Sequence, residues 1–131
     1  MSAQTFAEYS TMAANILQAL HLVRQFDRYE FQSDQRSLHR GFLQGVLWFA
    51  DGSELHWREF VDTDASPQRS MYAYHFQNAS KHCLFRYDNA SHRPALGFTD
   101  HKHCADGSII PVQRPPTLEE VVSEVLSIVR S

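Results

Sequence analysis

Apolar residues recur at helical spacing near both ends of the chain and at alternate positions through much of the middle. Phe6, Tyr9, Ala13, Ile16, Leu17 and Leu20 mark one stripe, opened by Thr5-Phe6-Ala7-Glu8, in which the Thr5 hydroxyl can accept from the Glu8 amide. The spacing predicts a first helix. Leu118, Val121, Val122, Val125, Ile128 and Val129 mark a second stripe, behind Pro115-Pro116 and the capping signature Thr117-Leu118-Glu119-Glu120. Glu119 and Glu120 suit the positive end of that helix, which accounts for them without a functional role.

The period between the two stripes is that of strands. A first strand is expected from Leu22 to Gln32, its alternation broken near Phe26 as by a bulge. Leu38 to Ala50 and Glu54 to Val61 are joined by Asp51-Gly52-Ser53, a tight-turn signal because glycine tolerates positive φ. Arg69 to Gln77 alternates Tyr72, Tyr74 and Phe76 against Met71, Ala73 and His75, and His82 to Tyr87 completes the set. From Asn89 to Pro116 the prolines at 94, 111, 115 and 116 leave room for at most a short strand near Ile109. The expected fold class is α+β, one antiparallel meander sheet of about five strands with the N- and C-terminal helices packed on one face. Residues 1–131 are expected to form a single domain. Trp48, Trp57, Tyr72 and Tyr74 are many rings for one side of so small a sheet, so some are expected on its open face. The segment from Asn89 to Asp106 is expected to fold back over that face, since long stretches without regular structure usually serve a function.

Composition narrows the function. With 131 residues, 43% of them hydrophobic, the chain can bury one core. No apolar run is long enough to span a bilayer, and the first ten residues contain no basic residue, so a cytoplasmic protein without a secretory signal is expected. Cys83 and Cys104 are expected to remain thiols there. A net charge of −3 argues against nucleic-acid binding by bulk electrostatics. Charge is uneven, however: Lys81, Arg86, Arg93 and Lys102 outnumber Asp88 and Asp100, and four of the eight histidines share that stretch. An anionic ligand would be drawn there.

His101 and His103 are two apart, so both imidazoles of an extended segment point one way and could hold a cation or a phosphate. His92, Asp88 or Asp100 could complete a metal set, against which stand the positive charges of Arg93 and Lys102. Asp88 and Asn89 also suit a turn, with Arg86 pairing Asp88. Glu59, among apolar neighbours, is either a partnered structural carboxylate or a base raised by burial, and His75 on the next strand could reach it.

The order of motifs resembles the TumE-like toxins of toxin-antitoxin modules. The matching pieces are Phe49-Ala50-Asp51-Gly52-Ser53-Glu54-Leu55 leading to Glu59, then Tyr72-Ala73-Tyr74-His75, Phe85-Arg86-Tyr87-Asp88-Asn89-Ala90, His101-Lys102-His103 and Pro116-Thr117-Leu118. Two departures stand out. Asn89-Ala90-Ser91-His92-Arg93 replaces Asn-Ala-Pro-His-His, and Thr99-Asp100-His101-Lys102-His103 replaces Pro-His-His-Lys-His, leaving His92, His101 and His103 as the shared core. The resemblance implies a small toxin neutralised by a cognate antitoxin with a DNA-binding domain.

Such a protein could act on RNA or a nucleotide by metal-independent acid-base chemistry. Glu59 or His75 would serve as base and His101 or His103 as acid. Arg86 with Lys102 would hold the phosphate, and Tyr74 would stack a base beside Asp88 and Asn89. No cofactor, bound metal or membrane partner is expected, and a homodimer is left open. The alternatives are a metal-binding protein built on the same histidines and a non-enzymatic interaction module.

Overall fold

The computed structural model describes residues 2–90 and 98–130. Helix α1 (Phe6–Leu22) is capped as its sequence predicts, Thr5 Oγ1 accepting from the Glu8 amide at 3.2 Å. Helix α2 (Leu118–Val129) starts from a complete capping box: the Glu120 amide donates to Thr117 Oγ1 and the Thr117 amide to Glu120 Oε1, each at 3.1 Å. Between them run β1 (Arg28–Gln35), β2 (Arg40–Trp48), β3 (Glu54–Asp62), β4 (Arg69–Gln77), β5 (Cys83–Asp88), β6 (His101–Cys104) and β7 (Ile109–Pro111). Each strand pairs antiparallel with the next, in the order β1 to β7.

Among the described residues, seven strands replace the five expected. Residues 101–104 do not fold over the open face. They extend the sheet in its own plane, with His103 opposite Arg86 and His101 opposite Asp88. Residues 91–97, including His92 and Arg93, lie outside the described residues. The first strand also begins later than its composition suggests, because α1 runs on to Leu22 and a turn with Arg24 at φ 59° separates the two. Phe26, expected at a bulge, is instead a buried core residue ahead of β1. The β2–β3 hairpin matches its sequence signal: Gly52 adopts φ 85°, and the Ser53 amide donates to Asp51 Oδ1 at 2.9 Å.

Both helices cover the same sheet face. Phe6 and Leu17 of α1 and Leu118, Val121, Val122 and Val125 of α2 share one core with Leu43, Leu47, Leu55, Trp57, Tyr74, Phe76 and Phe85. Burying those side chains against two amphipathic helices is what holds an open sheet in water. The remaining polarity follows from the pleat: residues of the other parity face away from the helices.

Candidate active site

Strand register assembles the polar face. Val46, His56, His75, Arg86 and His103 are successive partners across β2 to β6, so one row of the helix-free face carries three histidines and an arginine. The adjacent row runs Gln44, Arg58, Ala73, Asp88 and His101. Ala73 is the small residue of that row, and over it lies a cavity of about 370 Å³ lined in part by Glu30, Gln44, His56, Arg58, His75 and Arg86.

Asp88 is the pivot. The residue is 3% exposed, and its carboxylate accepts from Arg86 Nε at 2.8 Å and from the Ala90 amide at 3.0 Å. It also lies 2.8 Å from His101 Nε2 and 3.6 Å from His103 Nε2. Burial pushes the Asp88 carboxyl up, but the Arg86 hydrogen bond, the Ala90 amide and the nearby His101 outweigh it and hold the group below its ordinary value. His101 is fully buried, with Nδ1 2.8 Å from the Thr99 carbonyl. Its two ring nitrogens lie against the Asp88 carboxylate and the Thr99 carbonyl, so the ring is held in place between them and in turn fixes Asp88. It cannot touch a bound substrate directly.

Arg86, clamped through Nε, makes no hydrogen bond through its two terminal nitrogens among the described residues and lines the cavity. His75 lies beside it. Burial, then the Arg86 cation, lowers the His75 pKa from its ordinary value, and its Nδ1 is buried without a hydrogen-bond partner among the described residues. His103, with about a third of its side chain exposed, flanks Arg86 from the other side, its ring centroid 4.9 Å from that of His101.

Other expected site residues sit elsewhere. Glu59 pairs with Tyr72 across β3 and β4 and faces the helices, opposite to His75, so the two cannot cooperate. It accepts from Tyr9 Oη at 2.7 Å and Tyr74 Oη at 2.5 Å, with Arg69 Nη1 3.9 Å away. Tyr74 is fully buried, its pKa raised well above the ordinary value by burial and then by the Glu59 charge, and it cannot stack a base. Lys102 also faces the helices, its Nζ 2.6 Å from Glu124 Oε2 and over the Phe85 and Tyr87 rings, so it cannot hold a phosphate on the opposite face. Asn89 bonds to β4 just past the end of β5, Oδ1 accepting from the Tyr72 amide at 3.1 Å and Nδ2 donating to the Ser70 carbonyl at 3.1 Å. Of the rings expected on the open face, Trp48 is there with Arg28 stacked 3.8 Å from its centroid, whereas Trp57, Tyr72 and Tyr74 face the helices.

Sequence reasoning missed His56, Arg58, Glu30 and Gln44. Their signal was the parity opposite to Leu55, Trp57 and Glu59 on β3, extended to neighbouring strands. His56 Nε2 lies 3.0 Å from Glu54 Oε1, and Glu54, which also accepts from Lys81, is held below the ordinary carboxylate value first by Lys81 and then by His56.

Among the described residues Asp88, His101 and His103 could hold a metal ion, their ligand atoms lying within 4.8 Å of one another. An imidazole pair with a carboxylate is a competent donor set. Arg86 on the second carboxylate oxygen opposes it, since it places a cation where a dication would sit.

Among family models, one described as Toxin TumE matches residues 14–131. No curated protein and no solved structure matches the chain.

Proposed function

The chain belongs to the TumE toxin family, and on that premise we propose that it inhibits growth by cleaving RNA with general acid-base groups on the helix-free face. The observation that carries this reading is the register of His75, Arg86 and His103 on three adjacent strands. His75, its pKa lowered so that it stays neutral, takes the proton from a ribose 2′-hydroxyl as that oxygen attacks phosphorus. Arg86 donates to the non-bridging oxygens, where charge grows in the transition state. His103 gives a proton to the departing 5′-oxygen. The products are a 2′,3′-cyclic phosphate and a 5′-hydroxyl. Asp88 and His101 hold Arg86 and His103 in place. A cognate antitoxin, expected to carry a DNA-binding domain, would restrain this activity, and the site works within a cytoplasmic protein.

The test is growth inhibition and cleavage of total RNA in excess chelator, for wild type and for His75→Ala, Arg86→Ala and His103→Ala, each with its melting temperature. Loss of either histidine should slow cleavage by roughly two to four orders of magnitude with little change in melting. Undiminished toxicity in a well-folded double histidine variant would sink the catalytic reading and leave an interaction module.

The proximity of Asp88, His101 and His103 favours a second reading, a metal-binding protein. Stoichiometric zinc in purified protein, lost in His101→Ala, would support it over the first.

A further inference from the structure

The acid-base row occupies only one side of the cavity; the other side carries a different chemistry. Glu30 on β1 and Arg58 on β3 both line it and both are exposed, and neither forms a hydrogen bond or ion pair with any described residue. Opposite charges beside one hollow usually close on each other unless geometry keeps them apart. Here β2 lies between them, and neighbouring strands are about 4.8 Å apart. On that intervening strand Gln44 Nε2 donates to Gln32 Oε1 at 2.6 Å, holding both amides at the rim, and Val46 gives an apolar patch beside them. The hollow therefore offers an acceptor pair, a bidentate donor and an apolar surface, all opening toward His75 and Arg86.

We propose that this hollow is a guanine subsite, and that the chain cuts RNA after guanosine; the cutting half of the statement rests on the function proposed above. Guanine presents N1–H and N2–H to a carboxylate and O6 and N7 to a guanidinium, so both groups bind through two hydrogen bonds. Adenine has no donor at N1, and cytosine and uracil are too small to satisfy both groups in that way. The orientation also follows. The base lies over β1 to β3, so its own 2′-hydroxyl reaches His75 on β4, the phosphate reaches Arg86 on β5, and the leaving 5′-oxygen reaches His103 on β6. Guanosine thus keeps the new cyclic phosphate.

Two measurements on the 131-residue chain test this separately. In the first, guanosine, adenosine, cytidine and uridine 3′-monophosphates are titrated into the protein. The guanosine nucleotide should bind roughly tenfold to a hundredfold more tightly than the others. Glu30→Gln and Arg58→Met, both folded by circular dichroism, should each lose most of that preference. In the second, the ends produced from a mixed-sequence RNA are mapped, and cuts should follow guanosine in wild type and spread to other bases in Glu30→Gln. Equal binding of all four nucleotides, or a guanosine preference untouched by both substitutions, would overturn the subsite whether or not RNA is cut. Selective guanosine binding without any RNA cleavage would leave the subsite standing and overturn the cutting.

Discussion

At Asp88 one carboxylate holds three neighbours, and its surroundings fix a pH dependence. The Asp88 pKa is lowered in the folded chain, so its contribution to stability is complete above the ordinary carboxylate value and is lost as pH falls through the folded one. Melting temperature should fall as pH drops below the ordinary carboxylate range, and Asp88→Asn should flatten that part of the curve. The same substitution strips a buried partner from Arg86 and His101 and should cost about 3–5 kcal/mol near neutral pH, measured by urea unfolding. His75 is shifted in the same direction, and there the shift bears on catalysis. Burial and Arg86 lower its pKa, so the acid limb of kcat/KM for RNA cleavage should lie below the usual histidine value of about 6.5, and should vanish in His75→Ala.

At the scale of elements, β2 shows what close packing demands. A Cβ on Gly45 would lie 2.5 Å from the Glu30 carbonyl oxygen and 2.7 Å from Trp57 Nε1. A neighbouring backbone atom cannot swing aside as a flexible side chain can. Gly45→Ala should therefore destabilise by about 1–3 kcal/mol, seen as a lower urea midpoint with an unchanged slope. The elements legible in the sequence were those with local causes: the two capped helices, the Gly52 hairpin, and β4, whose expected limits of Arg69 and Gln77 are the observed ones. Strand β7 was legible only as room for a short strand near Ile109 and β6 was not read as a strand of the sheet, because three and four residues without clear apolar alternation carry almost no periodic signal. Their extended form is fixed by pairing with β5 and with each other, a non-local cause. The site was half legible for the same reason. Arg86, Asp88, His101 and His103 drew attention by chemistry alone, while the faces of Glu59, Tyr74 and Lys102 depended on a register that also shifts at Phe60/Val61 and Phe76/Gln77.

For the molecule as a whole, the sheet separates what holds the chain together from what is proposed to act. Glu59→Gln and Lys102→Met alter the helix-covered face, where each residue is tied to a helix side chain, Tyr9 and Glu124. Both should lower the melting temperature, while RNA cleavage per folded molecule stays near the wild-type rate. Arg86→Ala should cut cleavage per folded molecule sharply, and it should also lower the melting temperature because it takes a partner from buried Asp88. Measuring both quantities on one purified sample for all three variants places each residue on its face.

That separation has a genetic consequence. When cells expressing the chain alone are selected for survival, missense changes that abolish the harm yet leave abundant protein should fall at every second residue of β4 to β6. A protein disarmed in that way keeps the helix-covered side intact, and so retains any surface there that a neutralising partner grips. Such an allele would act as a decoy, soaking up the partner and freeing an intact copy in the same cell. Disarming mutations of this class should therefore behave as dominant wherever a second, active locus shares the partner.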